Sequence, residues 1–334
     1  MKRIEFLKLL AGSLAGTAIA GLFQKSYAGV EAQTTNISDC LIRSEIGRQL
    51  NPPCLDKQAQ NSQNSGKSVS SRYVELGKTG LKVSTMGFGV SRTMEPALVL
   101  AVMDAGINFM DTGRSYFRGQ NEVMLGRTLG ARRNEVIIQS KLRVNLDGDG
   151  LNSKDDIKRV LNQMEESLAA SLKALNTDFI DVMLIHGAEK AAVIHHPEIM
   201  KFFERQKSKG IIRAHGFSTH QNQVELIRAE NRVDFYDVIM TTYNHKGAYV
   251  HMNSGRKSSW DQAALESELL AARERGVGLV AMKTCSGGPY APSPEARQSY
   301  VEALRWVLGR QLVHTMAVAM ANHAQIRENL KAWN

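Results

Sequence analysis

From Tyr73 onward, short apolar runs alternate with longer amphipathic ones. YVELG and LKVST are two strand patterns joined by Lys78-Thr79-Gly80, a hairpin signal. TMGFG is a third strand, and PALVLAVMDA (96–105) reads as a helix with Pro96 in its first turn and Gly106 beyond its end. INFMD then predicts a strand, NEVMLGRTLG (121–130) a short helix, and EVIIQSKL (135–142) another strand. The helix at 154–175 has the clearest period. Ile157, Val160, Leu161, Met164, Leu168, Leu172 and Leu175 form one apolar stripe, and Ser153 with Asp156 gives a capping-box start. DFIDVMLIH (178–186) is a strand, and EIMKFFERQKSKG a helix stopped by Gly210. IIRAHGFST, QVELIRAEN, YDVIMTTY, ALESELLAARERG, VGLVAMKT, ARQSYVEALRWVLG, VHTMAVAM and QIRENLKAW continue the alternation.

Eight strand–helix units after a hairpin, in about 250 residues, match the count and size of a (β/α)8 TIM barrel. A doubly wound open sheet is the alternative. GFGVSR after the first barrel strand lacks the third glycine of the dinucleotide fingerprint.

The chain before this pattern is of another kind. MKRIEFLK is basic, LLAGSLAGTAIAGLF (9–23) is uncharged and apolar, and SYA (26–28) has the small-x-small form of a cleavage site. Together they predict a signal peptide over 1–28. The apolar run is 15 residues, short of the roughly 20 that span a bilayer, so no stable membrane insertion is expected; an uncleaved leader would instead anchor the protein. Arg3 with Phe6-Leu7-Lys8 resembles a twin-arginine signal, although Ile4 stands where the second arginine belongs. Twin-arginine and Sec routes both remain open, and export to a bacterial periplasm is expected. Residues 29–71 form a polar linker, most evidently DKQAQNSQNSGKSVSS (56–71). Cys40 and Cys54 lie within it, as a disulfide or as two separate thiols. The barrel is assigned to 72–334.

Composition adds exclusions. The chain is 43% hydrophobic and 22% charged, an ordinary globular balance. Its net charge of +9 is scattered rather than massed in a stripe, so nucleic-acid binding is not indicated, and the excess suits an anionic cofactor. There is no CxxC, and the adjacent pair His195-His196 does not make a metal site, so no metal is expected.

In such a barrel the chemistry lies at the C-terminal ends of the strands. Three predicted strands end in an ionisable group: Asp111, Lys141 and His186. Tyr116 sits on the loop after Asp111. Singly each suits a structural role, as a cap, a snorkelling lysine or a core histidine. Together they would meet at one barrel mouth.

RYVELGKTGLKVSTMGFG, DAGINFMDTGRSY, IIQSK, DVMLIH, GIIRAHGFST and QIRENL resemble segments of the aldo-keto reductases, a likeness that covers residues 72–334. The resemblance implies a catalytic tetrad of Asp111, Tyr116, Lys141 and His186 that reduces an aldehyde or ketone with NAD(P)H. Tyr116 would be the acid, and Lys141, held by Asp111, would lower its pKa from about 10. Neutral His186 would orient the substrate oxygen. The resemblance further implies dinucleotide contacts from Ser218, Thr219, Tyr243, Lys283, Gln325 and Asn329, with NADPH the expected cofactor and NADH open. The partner is then a small-molecule carbonyl compound; no oligomer is specified. Three positions depart from the family pattern: Met240 replaces a glutamine, Met282 an aromatic, and MANHAQ offers only His323 where a base is usual, with Arg327 nearby. The long basic loop 244–260, with His245, Lys246, Arg256 and Lys257, either shapes the pocket, clasps the cofactor or is a solvated loop. Two other functions fit the same fold: a non-catalytic dinucleotide sensor, and a lyase using Lys141 as a Schiff base.

Overall fold

The computed structural model describes residues 72–144, 151, 153–251, 255, 257–285 and 294–333, and side chains 294–299 are not among them. The signal peptide, the linker, Cys40, Cys54 and Arg256 lie outside the described residues.

A two-stranded hairpin comes first: β1 (Tyr73–Glu75) runs antiparallel to β2 (Lys82–Ser84). The barrel strands are β3 (Gly87–Gly89), β4 (Phe109–Asp111), β5 (Ile137–Leu142), β6 (Ile180–Ile185), β7 (Ile212–Thr219) and β8 (Val238–Thr242). A short antiparallel pair, β9 (Ala248–Val250) and β10 (Lys257–Ser259), interrupts the alternation, which β11 (Gly278–Met282) and β12 (Thr315–Ala319) complete. The eight barrel strands are all parallel and close in the order β3-β4-β5-β6-β7-β8-β11-β12.

Helices cover the outside: α1 (Pro96–Asp104), α2 (Gln120–Leu129), α3 (Lys154–Leu175), α4 (Ala191–Ile194), α5 (Pro197–Ser208), α6 (Gln223–Val233), α7 (Gln262–Glu274), α8 (Pro294–Arg310) and α9 (His323–Leu330). The reading of α3 holds to the residue. Ser153 Oγ accepts from Asp156 N, the Asp156 side chain accepts in return, and Val160, Met164, Leu168 and Leu175 are buried.

There are two apolar layers. The outer one lies between sheet and helices. The inner one fills the barrel with Phe109, Val182, Leu184, Ala214, Val238, Met240, Val280 and Met282, together with Leu76, Leu81 and Val83 from the hairpin. The hairpin therefore plugs one end of the barrel. Lys78 N donates to Gly276 O at 2.8 Å, on the turn that precedes β11, which places the plug at the strands' N-terminal end. The opposite mouth is left for chemistry.

Candidate active site

The inner face is mostly apolar low in the barrel and turns polar toward the C-terminal ends of the strands. On β4 the alternation Phe109, Asp111 brings the carboxylate to the top of the inner layer, and on β5 Gln139 and Lys141 follow the same phase. Lys141 Nζ donates to Asp111 Oδ1 at 2.5 Å, to the Thr112 carbonyl at 2.8 Å and to Tyr116 Oη at 3.2 Å. Gln139 Nε2 donates to the same Asp111 oxygen at 2.7 Å. Both ions are buried, with side chains 1% and 4% exposed. Burial pushes the Lys141 ammonium down, but Asp111 and then Tyr116 outweigh it and hold it above its usual value.

His186 follows β6, and its N–H donates to Leu142 O at 2.7 Å. Its ring meets Tyr116 edge to face, centroids 5.8 Å apart, and Ser115 Oγ lies 3.2 Å from Nδ1. Burial, then Lys141, Arg143, His220 and Lys283, press its pKa down to about 2, so the ring is neutral. The four tetrad residues are thus brought together.

One expectation is corrected. Lys141 does lower the Tyr116 pKa, but burial outweighs it and the net shift is upward. Tyr116 is a protonated phenol at neutral pH, a proton donor strengthened by a cation rather than a partly ionised one.

The loop that carries Tyr116 is held in an unusual shape. Phe117 and Arg118 take left-handed φ values of 48° and 54°, and Gly119 follows at 84°, at a cost of order 1 kcal/mol for each non-glycine residue. Three contacts hold it. Arg114 pairs with the fully buried carboxylate of Glu122, which also accepts from Ser140 Oγ at 2.6 Å. Arg114 N donates to Lys141 O at 3.1 Å. Thr112 Oγ1 donates to Asn121 Oδ1 at 2.7 Å, and Asn121 Nδ2 donates to the carbonyls of Val90 and Thr93.

A cavity of about 160 Å³ opens beside the tetrad, with Asp111 and Tyr116 in its wall. Of the six expected dinucleotide contacts, Lys283, Gln325 and Asn329 line it. Ser218, Thr219 and Tyr243 do not. Ser218 Oγ accepts from Gly187 N at 3.1 Å and donates to Ile185 O at 3.3 Å, while Thr219 Oγ1 bonds Gln221 O at 2.5 Å. Tyr243 Oη donates to Glu266 at 2.8 Å and its ring packs on Trp306, and burial with Glu266 raises its pKa. The cavity wall also includes Arg92 and His220, which sequence reasoning missed. Both immediately follow barrel strands or their turns, so the strand-end rule that found Asp111 could have found them.

Lys283 is half-buried, and burial, then Arg92 and Lys141, lower its pKa. A cation depressed by neighbouring cations gains from an anion, which is what a pyrophosphate would supply. Met240 and Met282 give the same cavity an apolar wall. Gln325 and Asn329 sit on α9, where Gln325 Oε1 accepts from Ala321 N at 2.7 Å. These donors and apolar surfaces fit a dinucleotide.

The loop 244–260 contains the β9–β10 pair, and Val250 from it lines the cavity. His245 lies 6.3 Å from Trp306, centroid to centroid. His195 Nε2 is 2.7 Å from Glu230, and His196 Nδ1 caps α5 by accepting from Glu198 N. Among the described residues no group of acids, histidines and cysteines could hold a metal ion, and no helix is long and apolar enough to cross a membrane.

Comparison with known proteins agrees with this fold. The sequence model of the Aldo/keto reductase family matches residues 85–300. The uncharacterized oxidoreductase YqkF of Bacillus subtilis is 24% identical over 283 residues, covering 79% of this chain and 91% of that protein. D-threo-aldose 1-dehydrogenase of a Pseudomonas species is 26% identical over 262 residues, covering 70% and 75%. The holo form of aldo-keto reductase AKR11C1 from Bacillus halodurans superposes with a TM-score of 0.60 at 22% identity, covering 78% of this chain and 90% of that one, a likeness of fold. With the family model matched over most of the barrel, this chain belongs to the Aldo/keto reductase family of NAD(P)H-dependent oxidoreductases.

Proposed function

We propose that the protein reduces an aldehyde or ketone, with NADPH as hydride source and Tyr116 as general acid. The observation that carries the reading is Lys141 Nζ bridging Asp111, at 2.5 Å, and Tyr116, at 3.2 Å. When bound, a reduced nicotinamide supplies the hydride to the carbonyl carbon. The carbonyl oxygen gains negative charge as this happens, and Tyr116 Oη gives it a proton. Lys141 stabilises the phenolate left behind, and Asp111 keeps the ammonium aimed. Neutral His186, turned by Ser115, offers the same oxygen a hydrogen bond. Lys283, with Arg92 beside it, would hold the pyrophosphate, and Gln325 and Asn329 the adenosine end. Arg327, exposed on α9 and without a partner among the described residues, supports a grip on a ribose phosphate and hence NADPH over NADH.

The Schiff-base alternative is disfavoured because Asp111 keeps Lys141 cationic, and a protonated amine is no nucleophile. The sensor reading is disfavoured by the assembled tetrad. The leader pattern supports export of the folded, cofactor-loaded protein; full-length protein found in the cytoplasm would overturn that.

The test is a fluorescence titration with NADPH and NADH, followed by turnover of an aldehyde panel by wild type and Tyr116→Phe. The variant should bind dinucleotide normally and lose about a hundredfold or more in turnover. Turnover retained in Tyr116→Phe would overturn the role of the phenol.

A further inference from the structure

Arg143 is a charge that the reductase reading leaves unexplained. It stands two residues past Lys141, in the inward phase of β5. The β5–β6 ladder pairs Lys141 with Leu184 and Leu142 with Ile185, and His186 N donates to Leu142 O at 2.7 Å. Arg143 and His186 are therefore side by side, one step above the ladder. The Arg143 charge bears on both Tyr116 and His186. It is exposed, and no acid among the described residues pairs with it. The neighbouring ions are already matched: Lys141 has Asp111, and Arg114 has Glu122. The largest charges that lower the His186 pKa, Lys141 and Arg143, are both cations.

The position separates Arg143 from the cations assigned to the dinucleotide. In the closed order of eight strands, β5 and β11 stand four apart, on opposite sides of the mouth. Lys283 follows β11 and Arg143 follows β5. Tyr116 and His186 lie beside Arg143 on the β5 side. A molecule with its carbonyl oxygen at Tyr116 and His186 therefore has next to it a guanidinium that no acid among the described residues matches. A guanidinium presents a planar fork of donors suited to carboxylate or phosphate oxygens.

We propose that the carbonyl substrate is anionic, with a carboxylate or phosphate group that Arg143 grips while Tyr116 and His186 engage the carbonyl oxygen. The proposal rests on the reductase reading and names its substrate class.

The test compares matched pairs with NADPH: succinic semialdehyde against its methyl ester, and glycolaldehyde phosphate against glycolaldehyde. Wild type should favour the anionic member of at least one pair, mainly through KM, and that pair identifies the group. Arg143→Gln should raise KM for the anionic member about tenfold and bring the ratio toward one, while Arg143→Lys should keep part of it. A preference for the neutral member, or a ratio that Arg143→Gln leaves unchanged, would overturn the proposal. Calorimetry with glutarate on the dinucleotide-loaded protein separates the two readings. If no aldehyde is turned over but glutarate still binds in an Arg143-dependent way, the reductase reading fails and the anion site stands. If Arg143 instead serves Asp147 and Asp149, which follow it in the sequence, then glutarate binding will not depend on it and the proposal falls.

Discussion

Replacing Lys141 by methionine separates what the buried ion pair does for the fold from what it does for the reaction. The substitution keeps the unbranched stem, without the terminal nitrogen, and removes three hydrogen bonds, to Asp111, the Thr112 carbonyl and Tyr116. Asp111, 4% exposed, is then a buried carboxylate with only Gln139 as its donor. Breaking a buried pair by removing one partner costs about 3–5 kcal/mol, a sizeable share of the roughly 5–15 kcal/mol that holds a domain together. Asp111→Asn on its own is also costly, because it strands the ammonium. The double variant Asp111→Asn, Lys141→Met leaves no buried charge, so it should be more stable than the two single losses add up to, by about 2 kcal/mol. Activity should not follow stability. All three variants lack the cation or its anchor, and the double variant should remain about as slow as Tyr116→Phe. Urea unfolding of the cofactor-free protein gives the stabilities, and turnover under saturating dinucleotide gives the rest. Strictly additive stabilities, or a Lys141→Met protein as stable as wild type, would refute the buried-pair reasoning.

Two further expectations come from the structure. Burial holds four histidines neutral, pressing the pKa of His186 from 6.5 to about 2, of His220 to about 3, and of His215 and His314 to about 4. The unfolded chain takes up these protons near pH 6.5 while the folded chain refuses them, so stability should be full above that pH and decline as pH falls from about 6.5 toward 4; urea midpoints that stay flat down to about pH 5 would contradict this. Gly119→Ala places a Cβ 1.5 Å from Arg114 Nη2 at a φ of 84°, which should cost about 1 kcal/mol or more and push Arg114 off Glu122; turnover should fall while NADPH affinity, measured by fluorescence, persists, and unchanged turnover would show that the brace does not position Tyr116.

The barrel was legible because a buried parallel strand is apolar along its whole length, so a charge at its end stands out. Asp111, Lys141 and His186 were singled out that way, and the structure brings them together; α3 was found to the residue because its stripe and its capping box agree. Other features depended on information that does not sit locally in the sequence. The β9–β10 pair is only three residues a side, AYV against KSS, too short for a period to show, and Val250 reaches the cavity. The direction of the Tyr116 shift is a balance of burial against one cation, and burial is a property of the whole barrel.

What separates the expected contacts that reach the cavity from several that do not is strand phase. On β7 the inward series Ala214, Gly216, Ser218 continues to His220, which lines the cavity, whereas Thr219 is out of phase and bonds Gln221. On β8 Met240 is inward, so Tyr243, three residues on, points to the helices and meets Glu266 and Trp306. Ser218 is in phase but one layer too low, and its hydroxyl is taken up by Gly187 and Ile185. On β5 the inward series is Gln139, Lys141, Arg143. The same two-residue alternation that puts Lys141 beneath Tyr116 therefore puts a second cation above it. Asp111 neutralises only the first of them. The charge of the mouth is thus written in the phase of β5, and it favours a substrate that brings its own negative charge.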